Sequence, residues 1–271
     1  MRACYKKKSV DYLLEEINLV KDKYPLKNVH FNDDIFIINK KWFFEFAEKF
    51  PELNLSYTCN IRANLLTEDI AEALVASHCR NVTWSIESGN DEMLKNILRK
   101  TMTKKQILKT SACLHKHKIP FRVSNLIGLP GETIDEIKET IEVNIKSQPS
   151  LSLANIFIPY PNVDLTKYSI KHGYFYQNSI LPRNYFSRSP LNFTKNEHDI
   201  IYKTFCLFPA LVKFPVLFYC NMCFKFMYFL PKIFLRLIYE LFYAAGLSKW
   251  YAIKTPMLLK IRMAFRYILY Y

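Results

Sequence analysis

The sequence predicts an α/β fold in which a parallel sheet forms an open, partial barrel, followed by a mainly helical C-terminal extension. Between residues 1 and 163, five short apolar segments alternate with amphipathic segments that carry helix-capping residues. Five or six strands are too few to close an eight-stranded barrel, so we expect the sheet to stay open and curved. A flat, doubly wound sheet is the alternative, although no glycine-rich dinucleotide fingerprint accompanies it.

Helix signals recur along this first part of the chain. Ser9 suits a helix N-cap, and Thr133 forms a capping box with Glu136. Because the chain enters its first helix almost directly, we expect a further strand to precede Met1. The predicted helices are 9–23, 40–50, 67–77, 91–98, 103–117 and 133–147. The predicted strands are 28–31, 53–58, 81–86, 121–127 and 151–158.

The C-terminal part of the chain has a different character. Residues 164–271 carry 15 Lys and Arg against 4 Asp and Glu, whereas residues 1–163 carry 23 against 20. We therefore divide the chain into a barrel domain, 1–163, and a basic, aromatic, mainly helical region, 164–271. Within this region, 167–196 is expected to be irregular. Four prolines are expected to break its helices: Pro209, Pro215, Pro231 and Pro256.

Two interpretations of residues 204–271 stay open. Aromatic and aliphatic side chains interleaved with Lys and Arg favour a helical region that lies on an anionic membrane surface. Alternatively, these helices pack across the barrel and shield its site. Pro209 and Pro215 argue against a membrane-spanning helix. The lack of a recognition motif argues against nucleic acid as a partner.

The cysteines and histidines predict no metal site. Seven scattered cysteines and no apparent signal peptide indicate free thiols in a cytoplasmic compartment, with peripheral membrane contact as an alternative. Cys220 and Cys223 form a lone CxxC pair in an apolar stretch, which we interpret as structural. Four histidines lack a partner at ligand spacing in the sequence: His30, His78, His115 and His117.

Polar or glycine-rich residues follow each predicted strand. In parallel α/β folds, ligands bind at this end of the sheet because loops and helix N-termini converge there. The sequence therefore predicts a small-molecule site along one rim. The strand ends are Asn32-Asp33-Asp34, Cys59-Asn60 with Arg62, Glu87-Ser88-Gly89, residues 128–132, and Pro159-Tyr160-Pro161.

Several segments between residues 2 and 170 resemble, in the same order, the radical S-adenosylmethionine (radical SAM) superfamily. Within it, they resemble the branch whose members often carry an N-terminal cobalamin-binding domain. The resemblance implies a partial (β/α)6 barrel of the TIM-like type, with S-adenosylmethionine (SAM) as cofactor. The segments are "VHFNDDIFIINKKWFFEF", "CNIRANLLTEDIAEAL", "CRNVTWSIESGNDEMLKNILRK", "VSNLIGLPGETIDEIKETI" and "IFIPYPNVDL".

The resemblance implies that the first two strand ends hold the methionyl part of SAM. Asn32, Asp33 and Asp34 occupy the position that contacts the methionyl amine, where carboxylates and carbonyls suit an ammonium group. Arg62, at the next strand end, is expected to pair with the methionyl carboxylate.

The later strand ends are implied to hold the nucleoside and the substrate. Glu87 and Ser88 match the polar pair near the ribose or methionyl part. Gly128 and Gly131 match the strand end that passes close to the adenine, where the missing Cβ lets backbone approach a ligand. The residues implied to lie beside the substrate are Pro159 and Tyr160.

Two departures from the family pattern limit what the resemblance implies. The family holds a 4Fe-4S cluster on three cysteines spaced CxxxCxxC, and this sequence contains no such triplet. The chain by itself is therefore predicted to be unable to start radical chemistry, although an electron donor and cobalamin are implied for a full-length, active protein. Asn162-Val163-Asp164 replaces the Gly-Thr that commonly follows the proline, which leaves the substrate edge open.

The sequence is compatible with three functions. The first is a radical SAM-type enzyme core that acts on an unknown small molecule by methyl transfer or rearrangement. The second is a degenerate, non-catalytic, membrane-associated binding protein on the same fold. The third is an unrelated barrel enzyme with Asp33, Asp34 and Glu87 as its acid and base groups.

Overall fold

The structure is a computed structural model that describes residues 8–176 and 188–250. Its five strands form one sheet in chain order, which confirms the predicted α/β class. β1 pairs in parallel with β2, Asn28 opposite Ser56. β2 pairs in parallel with β3, with a register shift between Tyr57 and Thr58. The strands are β1 (Asn28–His30), β2 (Ser56–Asn60), β3 (Cys79–Glu87), β4 (Phe121–Ile127) and β5 (Leu151–Ile156).

Two of the helices begin where the sequence places their capping residues. The Ser9 hydroxyl accepts a hydrogen bond from the backbone N–H of Tyr12, and both halves of the Thr133–Glu136 capping box are present. The helices are α1 (Val10–Lys21), α2 (Lys40–Lys49), α3 (Glu68–Ala76), α4 (Lys104–Lys116), α5 (Ile134–Ser147), α6 (Asp164–Lys171), α7 (Lys195–Lys213), α8 (Pro215–Tyr219), α9 (Asn221–Phe229) and α10 (Lys232–Trp250).

The chain divides into two compact units, and the first comprises residues 1–84 and 109–122. Its core is aromatic. Phe31 stacks on Phe36 with ring centroids 4.6 Å apart, and Tyr57 packs edge-on against Phe46 at 5.2 Å. The buried Tyr57 hydroxyl lies 2.7 Å from the Ser77 hydroxyl at the end of α3, so the polar tip of this core residue is satisfied.

The second unit comprises residues 85–108 and 123–271. Its main core joins β4, α5 and β5 to the C-terminal helices, because α7 packs against α5, β5 and α10. Burial of these aliphatic and aromatic side chains supplies most of the stability of such a layer. The core includes Ile127, Ile137, Ile141, Ile156, Ile201, Phe205, Phe208, Leu211, Leu235 and Tyr239.

The structure corrects three local predictions. β2 begins at Ser56 and not at residue 53, because Phe50–Leu53 forms a 3-10 turn that contains Pro51. The short helix expected at 91–98 is a π-helical turn, Met93–Ile97. The irregular stretch expected at 167–196 contains the end of α6, and residues 177–187 of it lie outside the described part of the chain.

The prediction that Pro209 breaks its helix is wrong. This proline lies inside α7, whose buried face spans the whole segment around it. A proline in a helix interior costs about 3 kcal/mol, and burial of several large side chains offsets that cost. Pro215 begins α8 and Pro231 separates α9 from α10, as predicted, whereas Pro256 is outside the described residues.

No helix among the described residues is long and apolar enough to cross a membrane. The domain boundary at residue 163 and the membrane-surface contact through 204–271 stay predictions.

Candidate functional site

The loop after β1 carries the acidic candidates of the first unit. Asn32, Asp33 and Asp34 are exposed. The carbonyl of Asp33 accepts a hydrogen bond at 2.9 Å from the side-chain amide of Asn60, the last residue of β2. The backbone carbonyl of Asn60 in turn accepts from the N–H of Phe36 at 2.9 Å. The structure thus fastens the acidic loop to the neighbouring strand end.

Arg62 lies immediately beyond β2 in the same unit. Its backbone is extended and precedes the 3-10 turn Ala63–Leu65, and its side chain is half-buried. The N–H of Ile61 donates to the carbonyl of Thr83 at 2.8 Å, which continues the strand pairing up to the residue before Arg62. The guanidinium is therefore carried by the same strand end as Asn60.

In the second unit, the end of β3 makes a sharp turn. Glu87 has a positive φ of 67°, which a non-glycine residue rarely adopts, and its carboxylate lies 3.3 Å from the Lys100 ammonium. Ser88 is fully buried and its hydroxyl accepts a hydrogen bond from the N–H of Asn90 at 3.2 Å. The two candidate residues are thus held by different partners on one turn.

A network that the sequence reasoning missed fixes this turn to α5. The N–H of Gly89 donates to the Thr140 hydroxyl at 2.8 Å, and the Asn90 amide donates to the Glu139 carboxylate at 2.9 Å. The Lys104 ammonium bonds the other oxygen of Glu139 at 2.8 Å. Lys104, and then Asn90, hold the pKa of Glu139 below its ordinary value. These contacts join residues far apart in the chain, so no local pattern signals them.

Both candidate glycines after β4 have positive φ, 70° at Gly128 and 77° at Gly131. A Cβ at Gly128 would lie 3.3 Å from the Ile201 side chain of α7, and one at Gly131 would lie 2.8 Å from the Tyr174 hydroxyl. The turn conformation and neighbours within this unit therefore account for both glycines. Their predicted approach to adenine stays a prediction.

Glu132 completes the β4 turn and was not singled out from the sequence. Its side chain is 5% exposed, and Oε2 accepts a hydrogen bond from the N–H of Leu129 at 3.0 Å. Burial raises the pKa of this carboxyl to about 8, although hydrogen bonds from the N–H groups of Leu129 and Gly128 oppose that shift. Oε1 is buried and has no hydrogen-bond partner among the residues that the structure describes. The protonated carboxyl suits this environment.

The β5 end provides one buried and one exposed candidate. Pro159 is buried, whereas Tyr160 is 45% exposed. The carbonyl of Tyr160 accepts a hydrogen bond from the Thr166 hydroxyl of α6 at 2.6 Å. The structure thus groups the predicted residues by unit, and each set follows the carboxyl ends of its strands. One set is Asn32, Asp33, Asp34 and Arg62; the other is Glu87, Ser88, Gly128, Gly131, Pro159 and Tyr160.

Two of the histidines interpreted from the sequence as lacking a partner at metal-ligand spacing lie against polar side chains in the first unit. His30 Nδ1 lies 2.6 Å from the Thr58 hydroxyl, and burial, followed by the nearby Arg122 charge, lowers the pKa of this imidazole. His117 Nε2 lies 2.7 Å from Glu68 Oε2 and one helical turn from Cys113. Thr58 is distant in sequence from His30, and Glu68 is distant from His117, whereas Cys113 is close to His117.

The residues of this chain do not fit a 4Fe-4S cluster. Such clusters take cysteine thiolates; the sequence has no CxxxCxxC, and the described cysteines lie on separate elements apart from one CxxC pair. Within the described ranges, one group of three His, Cys, Asp or Glu side chains brings ligand atoms within 4.8 Å of one another, and it is Glu68, Cys113 and His117. The described free cysteines are Cys59, Cys79, Cys113, Cys206, Cys220 and Cys223.

The chain is similar to curated methyltransferases over about three fifths of its length. It is 29% identical over 167 residues to an uncharacterized methyltransferase of Pyrococcus horikoshii, a match that covers 61% of this chain and 36% of that protein. It is 22% identical over 160 residues to the bacteriochlorophyllide d C-12(1)-methyltransferase of Chlorobaculum tepidum, covering 58% and 35%. The chain thus spans about a third of the length of these relatives.

The fold is shared with a solved structure. That structure is a radical S-adenosylmethionine methyltransferase from Kitasatospora setae with cobalamin and a 4Fe-4S cluster bound. The TM-score is 0.56 at 14% identity, and the match covers 70% of this chain and 39% of the other. The model of the Radical SAM superfamily matches residues 2–143. Since this match takes in just over half of the chain, the protein belongs to the radical SAM superfamily.

Proposed function

We propose that this chain is the SAM-binding core of a radical SAM methyltransferase that acts on a small molecule. The observation that carries the proposal is the run of polar or glycine-rich strand ends. Residues suited to part of SAM follow β1 to β4, and residues assigned to the substrate follow β5. The methyltransferase names of the two curated relatives support methyl transfer over rearrangement. The family match favours this function over an unrelated barrel enzyme.

The donor set in the first unit fits the charged end of SAM. Asp33 and Asp34 present exposed carboxylates, which would bind the methionyl ammonium by charge-assisted hydrogen bonds. Arg62 would pair with the methionyl carboxylate, because a guanidinium matches a carboxylate with two parallel bonds. The Asn60 amide holds the acidic loop through the Asp33 carbonyl and leaves the carboxylates to the ligand.

The second unit would hold the nucleoside and border the substrate. Glu87 is positioned by Lys100, and we assign it to a ribose hydroxyl. Gly128 and Gly131 shape the turn beside the adenine, and the buried Glu132 keeps that turn closed. Pro159 and Tyr160 border the substrate at the β5 end. When bound, SAM supplies a methyl group activated by its sulfonium.

We assign SAM binding to this chain, but not the reductive cleavage of SAM. The thiolates for a 4Fe-4S cluster are not among its residues. For the whole protein we propose a cluster, an electron donor and cobalamin, as in the Kitasatospora structure that holds the cluster and cobalamin.

Binding of SAM to the purified chain tests the proposal. Isothermal titration calorimetry should detect one site, and Asp33→Asn should weaken it about tenfold or more because a charge-assisted bond is lost. Glu87→Gln should weaken it by a smaller factor, because the amide still bonds a hydroxyl. Asp22→Asn, at the exposed end of α1, is the matched control. Absence of SAM binding, or equal affinity of Asp33→Asn and the control, would overturn the assignment.

A further inference from the structure

Three different metal-ligating side chains meet on the outer helices of the first unit. Cys113 and His117 are four residues apart on α4 and its C-terminal end, so both lie on one face of the helix. Glu68 is the first residue of α3, and its Oε2 lies 2.7 Å from His117 Nε2. The thiol, imidazole and carboxylate ligand atoms all lie within 4.8 Å of one another.

A hydrogen bond that involves none of these side chains holds α4 against the turn that precedes α3. The Thr110 hydroxyl on α4 is buried and donates to the carbonyl of Ala63 at 2.8 Å, in the turn that leads to α3. One turn of helix separates Thr110 from Cys113. The backbone around the three side chains is therefore anchored before any ligand binds, which lowers the entropic cost of binding.

The Glu68 carboxylate already forms an ion pair with a lysine side chain. The Lys116 ammonium lies 2.7 Å from Glu68 Oε2, the same oxygen that contacts His117. His117 and Lys116 together lower the pKa of Glu68 to about 2, so the carboxylate is ionised at neutral pH. Burial, with the Glu68 charge nearby, raises the pKa of the Cys113 thiol. A divalent cation at this point would take over the role of Lys116 and would release the thiol proton.

We propose that Glu68, Cys113 and His117 form a binding site for Zn²⁺. Zinc is a borderline-soft ion that accepts thiolate, imidazole and carboxylate ligands in tetrahedral geometry. Zinc bond lengths of about 2.0 to 2.3 Å put tetrahedral ligand atoms about 3.3 to 3.7 Å apart. The Glu68–His117 distance of 2.7 Å reaches that range when Glu68, which is half exposed, moves slightly away from His117. Water would complete the fourth position on the exposed side.

Cobalt substitution tests the site in the full chain. A Cys220→Ser/Cys223→Ser background removes the CxxC thiols, which could bind Co²⁺ themselves. After treatment with a chelator, titration with Co²⁺ should produce the visible bands of tetrahedral cobalt and a near-ultraviolet thiolate-to-cobalt band, and Zn²⁺ should abolish both. In that background, Cys113→Ser should eliminate the thiolate band, and His117→Ala should weaken Co²⁺ binding about tenfold or more.

Two further variants separate a metal site from an ordinary ion pair. Lys116→Gln should tighten Co²⁺ binding, because the competing ammonium is removed. Cys79→Ser, a half-buried cysteine of the same unit, should leave the spectrum unchanged, and circular dichroism should show every variant folded. Lack of the thiolate band in the background protein, its persistence in Cys113→Ser, or unchanged affinity in His117→Ala would overturn the proposal and leave a surface ion pair only.

Discussion

Glu132 accepts a hydrogen bond at 3.0 Å from the backbone N–H of Leu129 and thereby closes the turn that follows β4. This bond is made by a carboxyl group that is buried and whose second oxygen has no hydrogen-bond partner within the described part of the chain. The turn is the one that carries Gly128 and Gly131, so its closure bears directly on the proposed SAM site.

The free energy of unfolding of the protein should therefore decrease as the pH rises from mildly acidic to mildly basic. The folded-state pKa of Glu132 is raised from 4.5 to about 8. A raised pKa means that this group contributes its stability fully below about pH 4.5 and loses it as the pH rises through about 8. The loss should be on the order of a few kcal/mol. Urea unfolding from pH 5 to pH 9 should show it.

Glu132→Gln provides the comparison, because the amide imitates the protonated acid. Its unfolding free energy should lack this loss over the same range, whereas Glu142→Gln on α5 should keep the wild-type dependence. A wild-type curve parallel to that of Glu132→Gln would contradict the assignment.

Gly89 should tolerate no side chain. A Cβ there would lie 2.6 Å from the Thr140 Cα and closer still to the Glu139 carbonyl, both of which are backbone atoms that cannot move aside. Gly89→Ala should therefore lower the unfolding free energy by about 2–3 kcal/mol. Gly173→Ala has open space around it but a φ of 74°, so strain alone should cost about 1 kcal/mol. Equal losses in the two variants, measured by urea unfolding, would refute the steric explanation.

A buried pair of amides joins β4 to α5. Asn125 and Asn144 exchange hydrogen bonds of 3.1 and 2.8 Å, and the Ser152 hydroxyl donates to Asn144 at 2.6 Å. Asn144→Ala should cost about 3 kcal/mol, because it leaves buried partners unsatisfied.

The double variant Asn125→Ala/Asn144→Ala should lose less than the sum of the single variants, because the second removal no longer leaves an orphaned amide. Chemical denaturation of the four proteins measures this coupling. Additive losses, to within about 0.5 kcal/mol, would mean that the two side chains act separately.

The chain alone should not cleave SAM reductively. Anaerobic incubation with iron, sulfide and dithionite should give neither the absorbance of a 4Fe-4S cluster nor 5′-deoxyadenosine, because no cysteine triplet is present. A radical SAM enzyme with a complete CxxxCxxC, treated in parallel, serves as the positive control. Formation of 5′-deoxyadenosine by this chain would show that other ligands hold a cluster.

Local signals predicted the elements that local bonds determine. The Thr133–Glu136 capping box sets the start of α5, and its two hydrogen bonds form within one turn. The same kind of box, Thr194 with Glu197, starts α7 and was overlooked because the surrounding stretch is rich in Tyr, Ser and Asn. Pro209 was misjudged because tertiary burial, which a single segment does not reveal, outweighs its local cost.

Strand ends were recognised as a group, but the contacts that fix them were not. Asn90 and Glu139 are 49 residues apart, and Glu68 and His117 are also 49 apart. Such pairs depend on which strands neighbour one another, and the sequence reasoning fixed the strand order only as a parallel α/β pattern. The placement of Asp33 and Arg62 at adjacent strand ends followed from that pattern alone.

The shared core of the C-terminal helices and the sheet limits how far the chain can be truncated. In this core, Phe205 and Phe208 pack with Ile127, Ile141 and Ile156. Truncation before α7 would expose a large apolar surface to water, and the truncated protein would aggregate. Anyone preparing a minimal version for crystallisation or spectroscopy should retain the chain through the end of α10.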